Sequence, residues 1–498
     1  MTAADSRPAL WPIPRLDQAL TDGEITAIDL VNDCIGRIDE WNETLNAFLF
    51  IDRKGALAAA KESLDRRRAG RSLGPLDGIP FALKDNIVAR GMPATCGSRI
   101  LADFVSPYDA TLTARLKAAG AILLGKLNLD EFAMGSSNEH SAFGPARNPH
   151  DFSRVPGGSS GGSCIAVASG MAPLAFGSET GGSVRLPASF CGVVGLKPSY
   201  GRISRSGLVA FGSSLDQIGP VARSVGGIAL ALRAVAGLDA DDATSHPGPV
   251  PDYFAALADK LPRMRVGVVK EFLGQGVDEH VRRTIEQALS TMESLGCELQ
   301  DVSLPHAEYG VSAYYVVASA EASSNLARFD GVRYGYRSKN SATLEELYTR
   351  TRNEGFGDEV KRRIMIGTFA LSAGYYDAYY GRAMRARGLI ARDFAKAFEN
   401  VDVLASPVSP TPAFRLGDRV DDPLAMYLSD AMTIPANLAG VPAISVPCPV
   451  GEGGLPVGLH LQAPFLQEER LLRIAAAFEN AAGAPSFPKA LVHAGEAR

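Results

Sequence analysis

A serine hydroxyl attacks a carbonyl only when a base takes its proton and donors meet the negative charge that forms. This 498-residue chain offers candidates for both tasks. Pro156, Gly157, Gly158, Ser159, Ser160, Gly161, Gly162 and Ser163 make one serine-bearing glycine turn. Gly177, Ser178, Glu179, Thr180, Gly181, Gly182, Ser183, Val184 and Arg185 make a second. Glycine lets the backbone approach a substrate and aims neighbouring N–H groups at one point. The candidate base is Lys84, which closes the run Gly78, Ile79, Pro80, Phe81, Ala82, Leu83. At the end of a buried apolar strand, desolvation lowers a lysine's pKa and favours the neutral amine. The pattern reads as a hydrolase built on serine and lysine.

Other readings use the same residues. A Gly/Ser stretch also serves as a plain flexible turn, and Lys84 as a plain surface charge. A phosphate loop needs lysine where Ser163 follows Gly162, so nucleotide cradling does not fit. Residues 157–161 match G-x-S-x-G, the nucleophile elbow of another hydrolase class. That arrangement needs a later acid and histidine. Only His460 and His493 follow residue 306, and His493 lies in a tail expected to fray.

Positioning such groups takes a sheet. Residues 79–83 read as a buried strand ending at Lys84, and 121–126 as a second one. The stretch from Ser159 to Ser183 leaves room for a short helix and a return. Residues 265–269 read as a strand, followed by a helix with Val281, Ile285, Leu289 and Met292 on one face, stopped by Gly296. Residues 298–304 then alternate as a strand, which makes a β-α-β unit with parallel pairing and helices over a sheet. Thr26 and Asp29 look like a capping pair ahead of a helix carrying Ala27, Val31, Cys34, Ile35 and Ile38. Residues 355–390 are helical in pattern. Strands are expected at 443–446 and 457–461, then a helix with Leu471, Ile474, Ala475 and Phe478 on one side.

The length alone suggests two to four domains. Candidate chemistry at 84, 159, 183 and beyond 360 argues instead for one large α/β body. Gly, Asp, Ser and Pro cluster at 237–251, the expected surface loop. Hydrophobic content of 46% and charged content of 21% are those of a soluble globular protein. A net charge of −5 gives no footprint for nucleic acid, so another chain would have to grip an RNA substrate. Asp5, Arg7, Arg15 and Asp17 interrupt any secretory core, and no run is apolar enough for a membrane span. A cytoplasmic protein is expected. The cysteines at 34, 96, 164, 191, 297 and 448 show no C-x-x-C spacing and read as buried free thiols, not as disulfides or metal ligands.

Lys84, Ser159 and Ser183, in this order on G-G-S-S-G-G and G-S-x-T-G-G-S turns, resemble the amidase signature family. Further blocks are similar to one branch of it, the A subunits of glutamyl-tRNA(Gln)/aspartyl-tRNA(Asn) amidotransferases. They are K-L-N-L-D-E-F-A-M-G-S-S at 126–137, S-S-L-D-Q-I-G-P at 213–220, A-E-A-S-S-N-L-A-R-F-D-G at 320–331, E-G-F-G-D-E-V-K-R-R-I-M at 354–365 and S-D-A-M-T-I-P-A-N at 429–437. The resemblance implies a single large mixed β-sheet covered by helices on both faces, with a helical segment at 1–65 ahead of a main domain at 66–498.

It also implies roles. Ser183 is the acylated nucleophile, Ser159 (held in a cis peptide in that family) relays the proton, and Lys84 is the general base. Backbone N–H groups of Thr180, Gly181, Gly182 and Ser183 hold the oxyanion. Glutamine is the amide donor, with Arg363 on its carboxylate, Asp430 on its ammonium and Tyr314 lining the pocket. Ammonia passes to misacylated tRNA on a partner. Subunits B and C complete a heterotrimer, and ATP and Mg belong to the partner subunit, with no cofactor in this chain. A stand-alone amidase acting on small or aryl amides would use the same three residues. Glu179 departs from the family's usual Asp, and the first ten residues match no part of the pattern and read as a disordered end. Tyr375, Tyr376, Tyr379 and Tyr380, with Arg382, Arg385 and Arg387 behind them, suggest base stacking on RNA, but their i, i+4 spacing fits packing against the body better.

Overall fold

A computed structural model describes residues 7–449, 454–483, 487–488 and 490–491. Its strands are β1 (Phe48–Ile51), β2 (Pro80–Lys84), β3 (Ile122–Leu127), β4 (Leu174–Glu179), β5 (Val194–Lys197), β6 (Gln217–Ala222), β7 (Arg265–Val269), β8 (Glu298–Val302), β9 (Val403–Pro407), β10 (Ala443–Pro447) and β11 (Gly458–Gln462). All eleven join one sheet in the order β1-β3-β2-β4-β6-β5-β10-β11-β9-β7-β8. The sheet is mixed. β2 runs parallel to both β3 and β4, and β7 to both β8 and β9, whereas the pairings around β6, β5, β10 and β11 are antiparallel.

Period-2 alternation lets each strand feed two apolar layers. On β9, Val403 and Ala405 join one buried cluster while Leu404 joins the other; on β10, Ile444 and Val446 face one way and Ala443 the other. The larger layer takes the N-terminal helices and the helices Gly161–Ala168, Val225–Val235, Glu279–Ser294 and Glu468–Ala482. The smaller takes the helices Gly310–Asn325, Asp358–Ala370 and Tyr380–Ala397.

Most of the expected elements are present, including the β-α-β unit from Arg265 to Val302 with its parallel register. Thr26 and Asp29 form a reciprocal capping box at the head of the helix Ala27–Leu45. Two expectations need correcting. Residues 8–10, read as part of a disordered end, form a short helix with Ala9 and Leu10 buried, and the Ala9 N–H bonds to Asp33; residues 1–6 of that end lie outside the described residues. Residues 355–390 are not one helical run. They split between Asp358–Ala370 and Tyr380–Ala397, because Gly374 adopts a left-handed φ of 85° and the Ser372 hydroxyl bonds the Phe369 carbonyl that the helix would otherwise use. Residues 237–251 contain neither helix nor strand. The six cysteines are buried and free, and no described helix is long and apolar enough to cross a membrane.

Candidate active site

Three chain segments converge at one edge of the sheet. β2 ends at Lys84 and its parallel neighbour β4 ends at Glu179, so both carboxyl ends open at the same place, where α/β sheets bind ligands. The turn 156–160 comes in beside them, with a cis peptide between Gly158 and Ser159, and leads into the helix Gly161–Ala168. The Ser160 N–H donates to the Ser183 carbonyl at 3.0 Å and ties the two serine turns together.

Lys84 is fully buried, and its Nζ lies 2.7 Å from Ser159 Oγ, 2.9 Å from Ser160 Oγ and 3.0 Å from the Ser178 carbonyl. Burial lowers its pKa to about 7, against the pull of Asp130, Glu179 and Asp216. A neutral amine has two N–H groups and one lone pair. The Ser178 carbonyl can only accept, so it takes one N–H. The Ser160 hydroxyl, itself 3.1 Å from that carbonyl and donating to it, takes the other. The lone pair is left for the Ser159 O–H. In its neutral form Lys84 can thus accept a proton from Ser159.

The second turn is shaped to meet negative charge. Among the described residues the N–H groups of Gly181, Gly182 and Ser183 have no protein acceptor, as an oxyanion site requires. Behind it, Glu179 accepts from the N–H groups of Val184 (2.9 Å) and Arg185 (3.1 Å) and forms a buried ion pair with the Arg185 guanidinium. Burial works against this carboxylate, but Arg185 holds its pKa below the usual range. The side chain that departs from the family pattern thus fastens the turn from within. Thr180 Oγ1 meets Tyr314 Oη at 2.8 Å, and a methyl on Gly181 would stand 2.9 Å from the Tyr314 ring. Gly182 packs so closely on Asp430 and Thr433 that no side chain fits there.

Asp430 is buried, and Ser136 donates to its Oδ2 at 2.5 Å. Its Oδ1, directed at Gly182, has no hydrogen-bond partner among the described residues. Burial pushes its pKa up to about 7. A buried carboxylate oxygen without a partner is costly and is suited to receive a cation. Arg363, though it closes a run of three basic residues, is only 2% exposed. It pairs with Glu359 at 2.7 Å, and its guanidinium lies over Tyr315 at 4.9 Å and Tyr427 at 5.4 Å. Burial works against its charge, yet the rings and carboxylate around it keep its pKa raised.

The structure therefore brings Lys84, Ser159, Thr180, Gly181, Gly182, Ser183, Tyr314 and Asp430 into one buried neighbourhood. The Ser183 hydroxyl makes no side-chain hydrogen bond among the described residues, so the Ser183-to-Ser159 link is not closed in this state. Sequence reasoning missed Ser136, Ser160 and the Tyr315–Tyr427 stack, whose rings lie 3.6 Å apart. It also missed Glu359, although the i, i+4 spacing to Arg363 was there to read.

The elbow reading fails. His460 Nε2 is 2.6 Å from Arg185 and its Nδ1 is 3.2 Å from Ser406, so both ring nitrogens are engaged away from the serines, and His493 lies outside the described residues. Two other buried lysines are also engaged elsewhere. Lys126 pairs with Asp85, and Lys197 bonds the Val441 and Pro198 carbonyls. Of the four tyrosines expected to pack on the body, Tyr380 does, against the smaller apolar layer, whereas Tyr375, Tyr376 and Tyr379 are 44–48% exposed, with Tyr375 and Tyr379 against each other and Phe369, and Tyr376 against Tyr380. Arg387, by contrast, packs inward on Leu438 and Ser214.

Comparison with known proteins places these residues in context. The amidase family profile matches residues 29–472. The chain is 55% identical over 469 residues to the A subunit of the glutamyl-tRNA(Gln) amidotransferase of Geobacillus kaustophilus, covering 94% of this chain and 96% of the relative. It is 53% identical to the corresponding A subunit from Prochlorococcus marinus, covering 94% and 97%. Among solved structures, the A subunit of the glutamyl-tRNA(Gln) amidotransferase from Thermotoga maritima superposes with a TM-score of 0.80 at 41% identity, covering 97% of this chain and 98% of that one. The peptide amidase of Stenotrophomonas maltophilia superposes with a TM-score of 0.82 at 33% identity, covering 96% and 98%.

Proposed function

The chain belongs to the amidase family, and from that premise we propose that it is the glutamine-hydrolysing subunit of a tRNA-dependent amidotransferase. Neutral Lys84 takes the Ser159 proton while Ser159 takes that of Ser183, whose oxygen attacks the glutamine carboxamide carbon. The oxyanion that forms is met by the N–H groups of Thr180, Gly181, Gly182 and Ser183. Lys84, now an ammonium, returns a proton through Ser159 to the departing nitrogen. Ammonia leaves and Ser183 carries a glutamyl ester. Water, deprotonated along the same relay, then hydrolyses the ester and frees glutamate.

The observation that carries the choice of glutamine is the unpartnered Asp430 oxygen against Gly182, beside the proposed nucleophile. A free amino acid brings an ammonium to such an oxygen, and its carboxylate needs a cation, which Arg363 supplies from its aromatic box. A simple uncharged amide has use for neither. Tyr314, against Thr180 and Gly181, lines the same pocket in this reading. The ammonia is spent on Glu-tRNA(Gln), Asp-tRNA(Asn) or both, held by a B subunit with its ATP and Mg, and a C subunit completes a cytoplasmic heterotrimer. The test is ammonia release from L-glutamine by this chain, alone and with B and C subunits plus misacylated tRNA. Release that requires or is strongly raised by the partners supports the reading. Vigorous turnover of simple amides with none of glutamine replaces it by a stand-alone amidase.

A further inference from the structure

The turn Glu131–Ala133 follows directly on Asp130, whose N–H donates to the Ser159 carbonyl at 3.3 Å. Its backbone is unusual. Phe132 has φ 49° and Ala133 φ 62°, a left-handed conformation that a bulky residue adopts only when its surroundings impose it. The imposing contacts are visible, since the Phe132 ring lies 5.1 Å from Phe329 and 5.7 Å from Phe356. Glu131, 3% exposed, reaches the start of the helix Asp358–Ala370. Its Oε2 accepts the N–H of Gly357, the residue that opens this helix, at 2.8 Å, and its Oε1 accepts from the Ser98 hydroxyl. A methyl on Gly357 would stand 2.4 Å from Oε2, so the carboxylate would have to shift to admit it. No side chain of the helix's own first residues caps it. Further along the same helix stand Glu359 and Arg363.

We propose that Glu131 is a positioning residue, locking the helix that carries Arg363 to the turn that carries Ser159 and so fixing the distance between the glutamine carboxylate site and the reacting carboxamide. Asp130 and Glu131, adjacent in the chain, thus bond to the Ser159 turn and to the start of the Arg363 helix respectively. This rests on the reading of Arg363 as the partner of the glutamine carboxylate. A helix start held by one buried carboxylate moves when that acceptor is lost, and catalysis is sensitive to misplacement of a bound group by about 1 Å.

The test compares Glu131→Ala, Glu131→Gln and Gly357→Ala within the assembled protein, on L-glutamine and on butyramide. Glu131→Ala and Gly357→Ala are expected to raise KM for glutamine about tenfold, the scale of one charge-assisted hydrogen bond, with butyramide turnover within about twofold of the parent. Glu131→Gln is expected to restore most of the loss. Its amide oxygen can accept from Gly357, and its NH2 can donate to Ser98, whose hydroxyl then turns to the Gly355 carbonyl 3.3 Å away. Deuterium exchange of residues 356–363 is expected to quicken in Glu131→Ala and not in Glu131→Gln. Unchanged glutamine KM in Glu131→Ala, equal losses on both substrates, or a Gln variant as impaired as Ala would each overturn the proposal. If the parent protein releases no ammonia from glutamine, the functional reading has failed by itself, and the exchange measurement still decides whether Glu131 holds the helix.

Discussion

A lysine amine near pKa 7 surrounded by two hydroxyls and a carbonyl makes pH a direct probe of the relay. In the proposed relay the free base is the working form, so acylation should rise as pH increases through about 7 and level off above it, for any amide substrate. Glutamine adds a second dependence. Asp430, also raised to about 7, must be ionised to hold the substrate ammonium, so KM for glutamine should fall over the same rise in pH while KM for an uncharged amide stays flat. Rates and KM values on both substrates between pH 6 and 9 check this; a flat glutamine KM would remove Asp430 from the ammonium site. Stability carries the opposite face of the same shift. Between about pH 7 and 10.5 the unfolded chain binds a proton that folded Lys84 does not, so this residue's contribution to stability rises with pH across that window. Lys84→Ala should lower acylation by about 10²–10⁴-fold with little loss of fold, as measured by burst kinetics alongside circular dichroism. Arg363→Ala should weaken glutamine binding and spare simple amides. Lys84 was legible in the sequence because a lysine closing a fully apolar strand is costly to bury, and chemistry is the use that favours its neutral form. Asp430 was named only through the family resemblance, and the aromatic box around Arg363 was not read at all, because their meaning depends on distant chain segments meeting in space, and local spacing says nothing about that.

At the level of elements, the turn proposed to hold the oxyanion is fastened by one buried ion pair. Glu179 ends β4, accepts two N–H groups of the following turn and pairs with Arg185, whose guanidinium also reaches Asn437, the Thr433 carbonyl and His460. Arg185 and His460 are both inside, and burial with the Arg185 charge beside it keeps His460 far below its usual pKa, so the ring stays neutral and tolerates the cation. Removing the Glu179 charge leaves a buried guanidinium without its counter-ion, a loss on the order of 3–5 kcal/mol. Glu179→Gln should therefore lower the melting temperature clearly and reduce kcat on glutamine and simple amides alike, since the turn serves both. Thermal melts with paired kinetics test this, and a variant of unchanged stability would show that Asn437 and the Thr433 carbonyl suffice for Arg185. The strands that escaped sequence reading owe their form to contacts as distant as those of this turn. β4 ends in Gly177, Ser178 and Glu179, and β6 contains Gly219 and Pro220, residues that signal turns locally. They are strands because each lies against the other, with Gly177 opposite Gly219 and Glu179 opposite Gln217. Tertiary pairing outweighs weak local propensity there. The runs around Lys84, at 122–127 and at 265–269 were readable because apolar content and pairing agree.

Over the whole molecule, the sheet decides how far the chain can be divided. The helix Ala27–Leu45 buries Leu30, Val31, Cys34, Ile38, Trp41 and Leu45 in the same cluster as Phe81, Leu83 and Phe176 from the two strands that hold the site. β1 extends the sheet by pairing with β3, and the Asn128 N–H just past β3 donates to the Ala47 carbonyl at 2.8 Å. The Asn128 carbonyl in turn accepts from the Gly162 N–H at 3.2 Å, directly after the serine turn. On the far side, Arg37 donates to the Ser169 carbonyl at 3.0 Å, closing off the helix that follows Ser160. The first 65 residues are thus expected to behave as a structural wall of the site and not as a separable lobe. Burial of six large apolar side chains is worth on the order of 10 kcal/mol, comparable with the roughly 5–15 kcal/mol that keeps a whole domain folded. A chain beginning at residue 66 should accordingly fail to give a soluble species with a cooperative melt, and adding residues 1–65 as a separate peptide should not readily restore it. The full chain should melt in one calorimetric transition. A soluble 66–498 fragment that melts cooperatively and still turns over a simple amide would show the reverse: that the main sheet stands without its first strand, and that the N-terminal helices are an addition to the catalytic body.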